Sequence, residues 1–196
     1  MARPRTFDKQ AVLDGAVELF RRDGYEGTSV PRLTEELGIC RQSLYNAFGD
    51  KRGLYLRALE RWGEREIDTK LALLNGEGSP LDNLRTFVRA WAALATTCPV
   101  EGCLTIGGIL EMRGDADALA VVEGQVARLE GGLSDAIAAA RSAGEIREDV
   151  VPSRLARSLL ASYYGLGVLA RLPQSGQLVA DAVAAALDQV EAAASR

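Results

Sequence analysis

Arg41, Gln42, Ser43, Tyr45 and Asn46 crowd five polar side chains into six positions. Their types suit the reading of base edges. An Arg presents parallel N–H groups to guanine, a Gln both donates to and accepts from adenine, and a Ser hydroxyl bonds either kind of edge. Upstream, Thr28 and Ser29 fall where a helix is expected to begin, and free N–H groups and hydroxyls at such a place suit a phosphate oxygen. Lys51 offers a further positive charge for phosphate. The other residues with chemistry of their own are three cysteines, Cys40, Cys98 and Cys103. They are too few and too unevenly spaced for a disulfide framework. The chain has no histidine, which removes the commonest general base and the commonest metal ligand together. Three cysteines alone make a poor zinc site, so no metal, no cofactor and no enzymatic activity are expected.

The elements that must hold these side chains are all helical. Ala, Leu, Glu and Arg dominate, and β-branched and aromatic residues nowhere alternate. A first helix is expected over roughly Asp8 to Arg22, with Leu13, Val17 and Phe20 on one face and Gly24 as its left-handed stop. Pro31 suits the first turn of a second helix, roughly Val30 to Leu37. Gly38 breaks it, Ile39 returns toward the core, and a third helix runs about Arg41 to Phe48. Leu33, Leu37, Ile39, Leu44 and Phe48 hold the second and third helices crossed, which leaves the polar quintet facing outward. Two short helices joined at a glycine in this way form a helix-turn-helix pattern. Asp50 is placed to cap a fourth helix that carries Tyr55, Leu59 and Trp62.

Thr28-Ser29-Val30, Leu37-Gly38-Ile39 and Ser43-Leu44-Tyr45-Asn46-Ala47-Phe48-Gly49-Asp50-Lys51, taken together, resemble the DNA-binding signature of the tetracycline-repressor (TetR) family. The likeness is dense from residue 7 to about residue 60; beyond that it is one of helical pattern and length. It implies a three-helix DNA-binding head, a variable helical ligand domain and a homodimer built from the last two helices. It also implies that Arg41, Gln42 and Ser43 read bases while Tyr45, Asn46, Lys51 and Thr28 mostly hold phosphates. Two positions depart from the family pattern: Cys40 stands where a Ser or Thr usually caps the third helix, and Ala47 replaces a common aromatic.

The fold expected is therefore all-α with about nine helices. Residues 1–50 form the helix-turn-helix head, the fourth helix (50–74) is a connector, and residues 51–196 form an effector-binding and dimerisation domain. Further helices are expected from Pro80 to about Cys98, Leu104 to Met112, Ala116 to Ala143 (weakened by Gly124, Gly131 and Gly132), Ser153 to Arg171, and Gln177 to Ala194. Leu155 and Leu159 on the first of the last two, with Val179, Val183, Leu187 and Val190 on the second, are either a dimer seam or an intramolecular core stripe. A dimer reads two half-sites, which favours the seam. Trp62, Phe87, Trp91, Cys103, Met112, Tyr163 and Tyr164 are candidates for an effector pocket among the middle helices, with a largely apolar small molecule as the default ligand. Cys98 and Cys103 flank Pro99-Val100-Glu101-Gly102. They read either as small hydrophobes or as a redox or electrophile switch, Cys103 sitting at an expected helix N-terminus, a place that favours a thiolate.

Charge and composition are those of an ordinary soluble protein, and the mild charge asymmetry does not by itself identify a DNA-binding domain. Apolar residues make up 47% and charged residues 26%. The net charge is −4, yet residues 1–65 carry 12 Lys+Arg against 10 Asp+Glu, a net of +2, while residues 66–196 carry 11 against 17, a net of −6. No apolar run reaches the roughly 20 residues of a membrane span. Met1-Ala2-Arg3-Pro4-Arg5 has no apolar stretch behind it, so a cytoplasmic protein with no membrane partner is expected. The expected partners are double-stranded operator DNA, a second copy of the chain and a small-molecule effector. Three functions compete: a repressor released by an effector, a repressor switched through Cys103 with Cys98, and a helical enzyme or scaffold that never touches DNA. The last lacks any nucleophile–base pairing.

Overall fold

The structure, a computed structural model, describes residues 8–94 and 102–195. Among them are nine α-helices: α1 Lys9–Asp23, α2 Val30–Glu36, α3 Arg41–Phe48, α4 Lys51–Leu74, α5 Pro80–Arg89, α6 Leu104–Glu111, α7 Ala116–Ser142, α8 Pro152–Leu169 and α9 Gly176–Ala193. The only β pairing among the described residues is an isolated bridge, Ile146 to Ala194, which ties the end of the chain to the loop after α7. None of the described helices is long and apolar enough to cross a membrane.

Local chemistry accounts for the helix ends. The Asp8 carboxylate accepts the Gln10 and Ala11 N–H groups at 2.8 and 3.3 Å, and Gly24 closes α1 at φ +76°. Ser29 caps α2, and Pro31 stands in its first turn, where no N–H is needed. Gly38 takes φ +64° between α2 and α3, a conformation that costs most residues strain. Asp50 accepts the Gly53 N–H at 2.7 Å and so caps α4. The helix expected from Pro80 to about Cys98 is α-helical over Pro80–Arg89 and again at Leu94. A 3₁₀ turn continues it over Ala90–Ala93, and Cys98 lies outside the described residues. α7 runs unbroken through its three glycines. Gly124 and Gly131 face open space, whereas Gly132 lies against Leu71 and Leu74 of α4, where a side chain would collide.

Packing divides the chain into two compact units. The first comprises Met1–Glu64 with Cys103–Val122, so α6 and the start of α7 belong with the helix-turn-helix. Its core is built from Val12, Ala16, Val17 and Phe20 of α1, Leu33 of α2, Leu44 of α3, and Leu54, Tyr55, Ala58 and Leu59 of α4. The second comprises Arg65–Gly102 with Glu123–Arg196. Its core gathers Leu84, Phe87, Val88 and Trp91 with Leu129, Leu133 and Ile137 of α7, and with residues of α8 and α9.

Candidate nucleic-acid interface and effector region

The free face of α3 carries the polar residues in two helical rows. Arg41 and Gln42 are exposed. Arg41 Nε donates to Tyr45 Oη at 2.9 Å, and its guanidinium lies 5.4 Å from the Tyr45 ring centre. Gln42 Nε2 donates to Asn46 Oδ1 at 2.9 Å. Both pairs are i,i+4 neighbours, the spacing at which helical side chains meet. Arg41, Gln42 and Asn46 remain exposed with these bonds in place. Ser43 is half-buried, and its hydroxyl lies 3.2 Å from the Cys40 thiol. Cys40 occupies the N-cap position of α3 without forming a cap hydrogen bond. The Ser43 contact instead holds the exposed thiol's pKa below its ordinary value.

The residues that suit phosphate are unequally placed. Ser29 is exposed, but its hydroxyl accepts the Arg32 N–H at 3.4 Å as the cap of α2. Lys51 is half-buried at the start of α4, with its ammonium 4.1 Å from the Tyr25 ring centre. Thr28 departs from the expectation. Its side chain is 0% exposed, and its hydroxyl donates to the Gly24 carbonyl at 2.7 Å. It closes the turn between α1 and α2, so its hydroxyl is engaged within the chain.

The seven pocket candidates are split between the two units. Phe87, Trp91, Tyr163 and Tyr164 come together in the second. The Phe87–Trp91, Trp91–Tyr163 and Tyr163–Tyr164 ring centres are 5.7, 5.6 and 5.4 Å apart. Lys70, paired with Glu66, sets its ammonium 5.0 Å from the Tyr163 ring. Trp91 is 2% exposed, and its indole N–H has no hydrogen-bond partner. Trp62, Cys103 and Met112 belong to the first unit. The Trp62 ring there lies 4.2 Å from the Arg21 guanidinium, and Met112 is buried. Cys103 is a half-buried free thiol at the N-cap of α6.

The six residues read as either a dimer seam or a core stripe lie on the core side of the second unit. Leu155, Leu159, Val179, Val183 and Val190 are buried in the chain's own core, and Leu187 packs against it. The apolar stripe faces inward because α8 and α9 close the second unit against α5 and α7. The exposed apolar surface lies on the other face: Val168, Leu169, Leu172 and Leu178 are 44, 45, 53 and 38% exposed. There Ser162, Gly165 and Leu169 of α8, with Leu178, Ala182, Ala185 and Gln189 of α9, line a groove of about 510 Å³.

Four polar residues of the first unit have contacts of which the sequence gives no local sign. Arg52 donates to both carboxylate oxygens of Asp115, at 2.5 and 2.7 Å, and to Asp117 at 2.6 Å. Asp115 also accepts the Ala118 N–H at 3.1 Å. These bonds, led by those from Arg52, hold the Asp115 pKa at about 2. Glu111, at the end of α6, accepts the Glu26 N–H at 3.1 Å. The partners lie 63 or more residues apart in the chain, so no local motif announces them. Among the described residues, no cluster of three His, Cys, Asp or Glu side chains is arranged to hold a metal ion.

A head of three short helices, with a polar recognition face on the third, defines a helix-turn-helix protein. The chain belongs to the tetR family of bacterial regulatory proteins, whose family model matches residues 12–58; a second model, for the tetracyclin repressor-like C-terminal domain, matches residues 80–186. These are DNA-binding transcriptional regulators. The chain is 34% identical over 175 residues to the uncharacterized HTH-type transcriptional regulator YezE of Bacillus subtilis, covering 88% of this chain and 90% of that one. It is 30% identical over 172 residues to the HTH-type transcriptional repressor ComR of Escherichia coli, covering 86% and 82%. Among solved structures, reduced NemR of E. coli superposes with a TM-score of 0.83 at 20% identity over 95% of this chain and 96% of that one, a likeness of fold. A cysteine mutant of CifR in complex with a 26 bp double-strand operator DNA superposes with a TM-score of 0.78 at 25% identity, over 97% and 99%.

Proposed function

We propose that the protein is a cytoplasmic repressor that binds a palindromic operator as a homodimer and is released by a small, largely apolar effector. The observation that carries the DNA-binding part is the exposed row of Arg41 and Gln42 on α3, each steadied by its i+4 neighbour. Arg41, Gln42 and Ser43 read bases, and Ser29, Tyr45, Asn46 and Lys51 hold phosphates. DNA contact thus belongs to residues 1–50 and the first residue of α4, and effector binding and dimerisation to the remainder. The CifR complex with operator DNA supports this reading by likeness. The exposed groove of α8 and α9 supports a dimer through that face, because a second copy would cover its apolar residues in an isologous contact. The aromatic group of Phe87, Trp91, Tyr163 and Tyr164 is the effector region favoured here. The unpaired Trp91 N–H suits a ligand with one hydrogen-bond acceptor on an otherwise apolar frame, since a buried donor without a partner costs about 1–3 kcal/mol.

The test is binding of the purified protein to duplex DNA flanking its own gene across a range of salt. Sequence-selective binding that weakens steeply with salt is expected. The substitution Arg41→Ala should cost about 1–3 kcal/mol and relax selectivity at one position of each half-site. Binding with no sequence preference, or an unchanged Arg41→Ala variant, counts against the reading.

A second reading rests on Cys103, a free and partly accessible thiol on a helix of the same compact unit as the recognition helix. Here oxidant or electrophile replaces the effector, with or without Cys98. DNA binding lost on mild oxidation and restored by reductant, but retained in Cys103→Ser, is the expected pattern. An oxidant response unchanged in that variant ends this version.

A further inference from the structure

We infer that Glu111 is a positioning residue for operator binding: from the last turn of α6 its carboxylate holds the turn between α1 and α2, and so sets where α2 and α3 are presented. The inference rests on the DNA-binding reading above. The Glu111 carboxylate accepts the Glu26 N–H at 3.1 Å across 85 residues of sequence. Two residues earlier, Gly24 turns at φ +76°, and a Cβ there would lie 2.7 Å from Glu111 Oε1. The carboxylate thus lies against a turn position whose φ favours glycine. The other bonds of this turn are local: Gly24 N–H to Phe20 carbonyl at 2.9 Å, Thr28 N–H to Tyr25 carbonyl at 3.3 Å, and Thr28 hydroxyl to Gly24 carbonyl. Glu111 reaches in from another part of the chain. The next residue of the turn region, Ser29, caps α2, which packs on α3.

Stability alone is a poor reason for a carboxylate here. Glu111 is exposed, and a negative charge beside the C-terminal end of α1 opposes the helix dipole. What the group supplies is a fixed link between α6 and the turn. α6 is well placed to carry a displacement. It is eight residues long, about 12 Å, and Gly108 seats its middle against Leu59 and Val122. Cys103 stands at the N-cap position of its far end, without a cap hydrogen bond. A shift of α6 relative to α1 would move or break the Glu26 contact first, because that bond lies at the solvent edge of the packing.

The experiment begins with an operator selected by the wild-type protein from a random duplex pool. Wild type, Glu111→Ala and Glu111→Gln are then titrated with that duplex and with a scrambled duplex of equal length, and their thermal midpoints are measured. Glu111→Ala should bind the operator about tenfold more weakly, because a turn no longer held presents α2 and α3 less favourably, with unchanged affinity for the scrambled duplex and little change in thermal midpoint. Glu111→Gln should stay near wild type, because its amide oxygen accepts the same N–H. Wild-type operator affinity in Glu111→Ala overturns the inference. So does a parallel loss on both duplexes with a lowered midpoint, which is plain destabilisation. Equal weakness of Glu111→Gln and Glu111→Ala also overturns it, since charge and not the accepted bond would then matter. Failure of the wild type to select any sequence sinks the DNA-binding reading itself, a result distinct from all of these.

Discussion

Arg41 and Gln42 are each held by a partner one turn along the helix, and this arrangement has a cost and a use. Free Arg and Gln side chains lose about 2 kcal/mol of rotamer freedom when they dock. Part of that freedom is already given up to Tyr45 and Asn46. Cys40, immediately before them, is a weak element of the same design. It caps nothing, and its thiol pKa lies below the ordinary value because the Ser43 hydroxyl, chiefly, bonds the thiolate. A lowered pKa means more thiolate at a given pH. Alkylation of Cys40, followed by mass spectrometry of its peptide across pH, should therefore reach half-maximal rate below the usual thiol value of about 8.5. In Ser43→Ala the midpoint should move upward; a midpoint indifferent to that change refutes the cause assigned here.

The first unit owes its assembly to two helices that arrive late in the chain. Gly108 of α6 fits between Leu59 of α4 and Val122 of α7; a Cβ there would lie 2.8 Å from Val122 Cγ2 and 3.4 Å from Leu59 Cδ2. Alanine is the better helix former, by about 1 kcal/mol, but both neighbours are buried and have little room to yield. Gly108→Ala is expected to destabilise by about 1–2 kcal/mol net in chemical unfolding, and Val122→Ala in the same chain should recover part of the loss. At the start of α7, Asp115 links to α4 through Arg52. Its folded pKa of about 2 lies below the unfolded value of about 3.9. The contribution to stability is thus complete above pH about 4 and lost as pH falls toward about 2. The difference in denaturation midpoint between wild type and Arg52→Ala should be widest near pH 5 and close toward pH 2. A difference that stays constant over that range would mean the pair acts through packing alone.

At the scale of the molecule, α8 and α9 separate two roles that their sequences mix. One face of the pair completes the core of the second unit, and the opposite face leaves a groove of small and apolar residues open. Substitutions on the two faces should behave differently. Ala185→Asp, in the groove, is expected to give a folded monomer in analytical ultracentrifugation, with operator affinity falling as the second half-site contact is lost. Leu159→Ala, in the core, should lower folding stability by about 2–5 kcal/mol. A dimeric Ala185→Asp variant would remove the groove as the interface.

Period and punctuation were enough to find the helices, their caps and the outward row on α3, because these depend on neighbours within four residues. Asp8, Gly24, Ser29, Gly38 and Asp50 all act where their types place them. The sequence also carried the family likeness, since its motif residues lie at fixed short spacings. Side-chain destination was another matter. Thr28 looked available to a phosphate and is buried under its own turn. The Leu and Val stripe of α8 and α9 was equally compatible with core and interface, because both are apolar at the same helical period. Glu111, Arg52 and Asp115 gave no local sign of their partners, and the pocket aromatics did not reveal that they would divide between two units. All of these depend on which helix face meets which, and that is decided when distant segments pack together and bury their apolar surfaces in common.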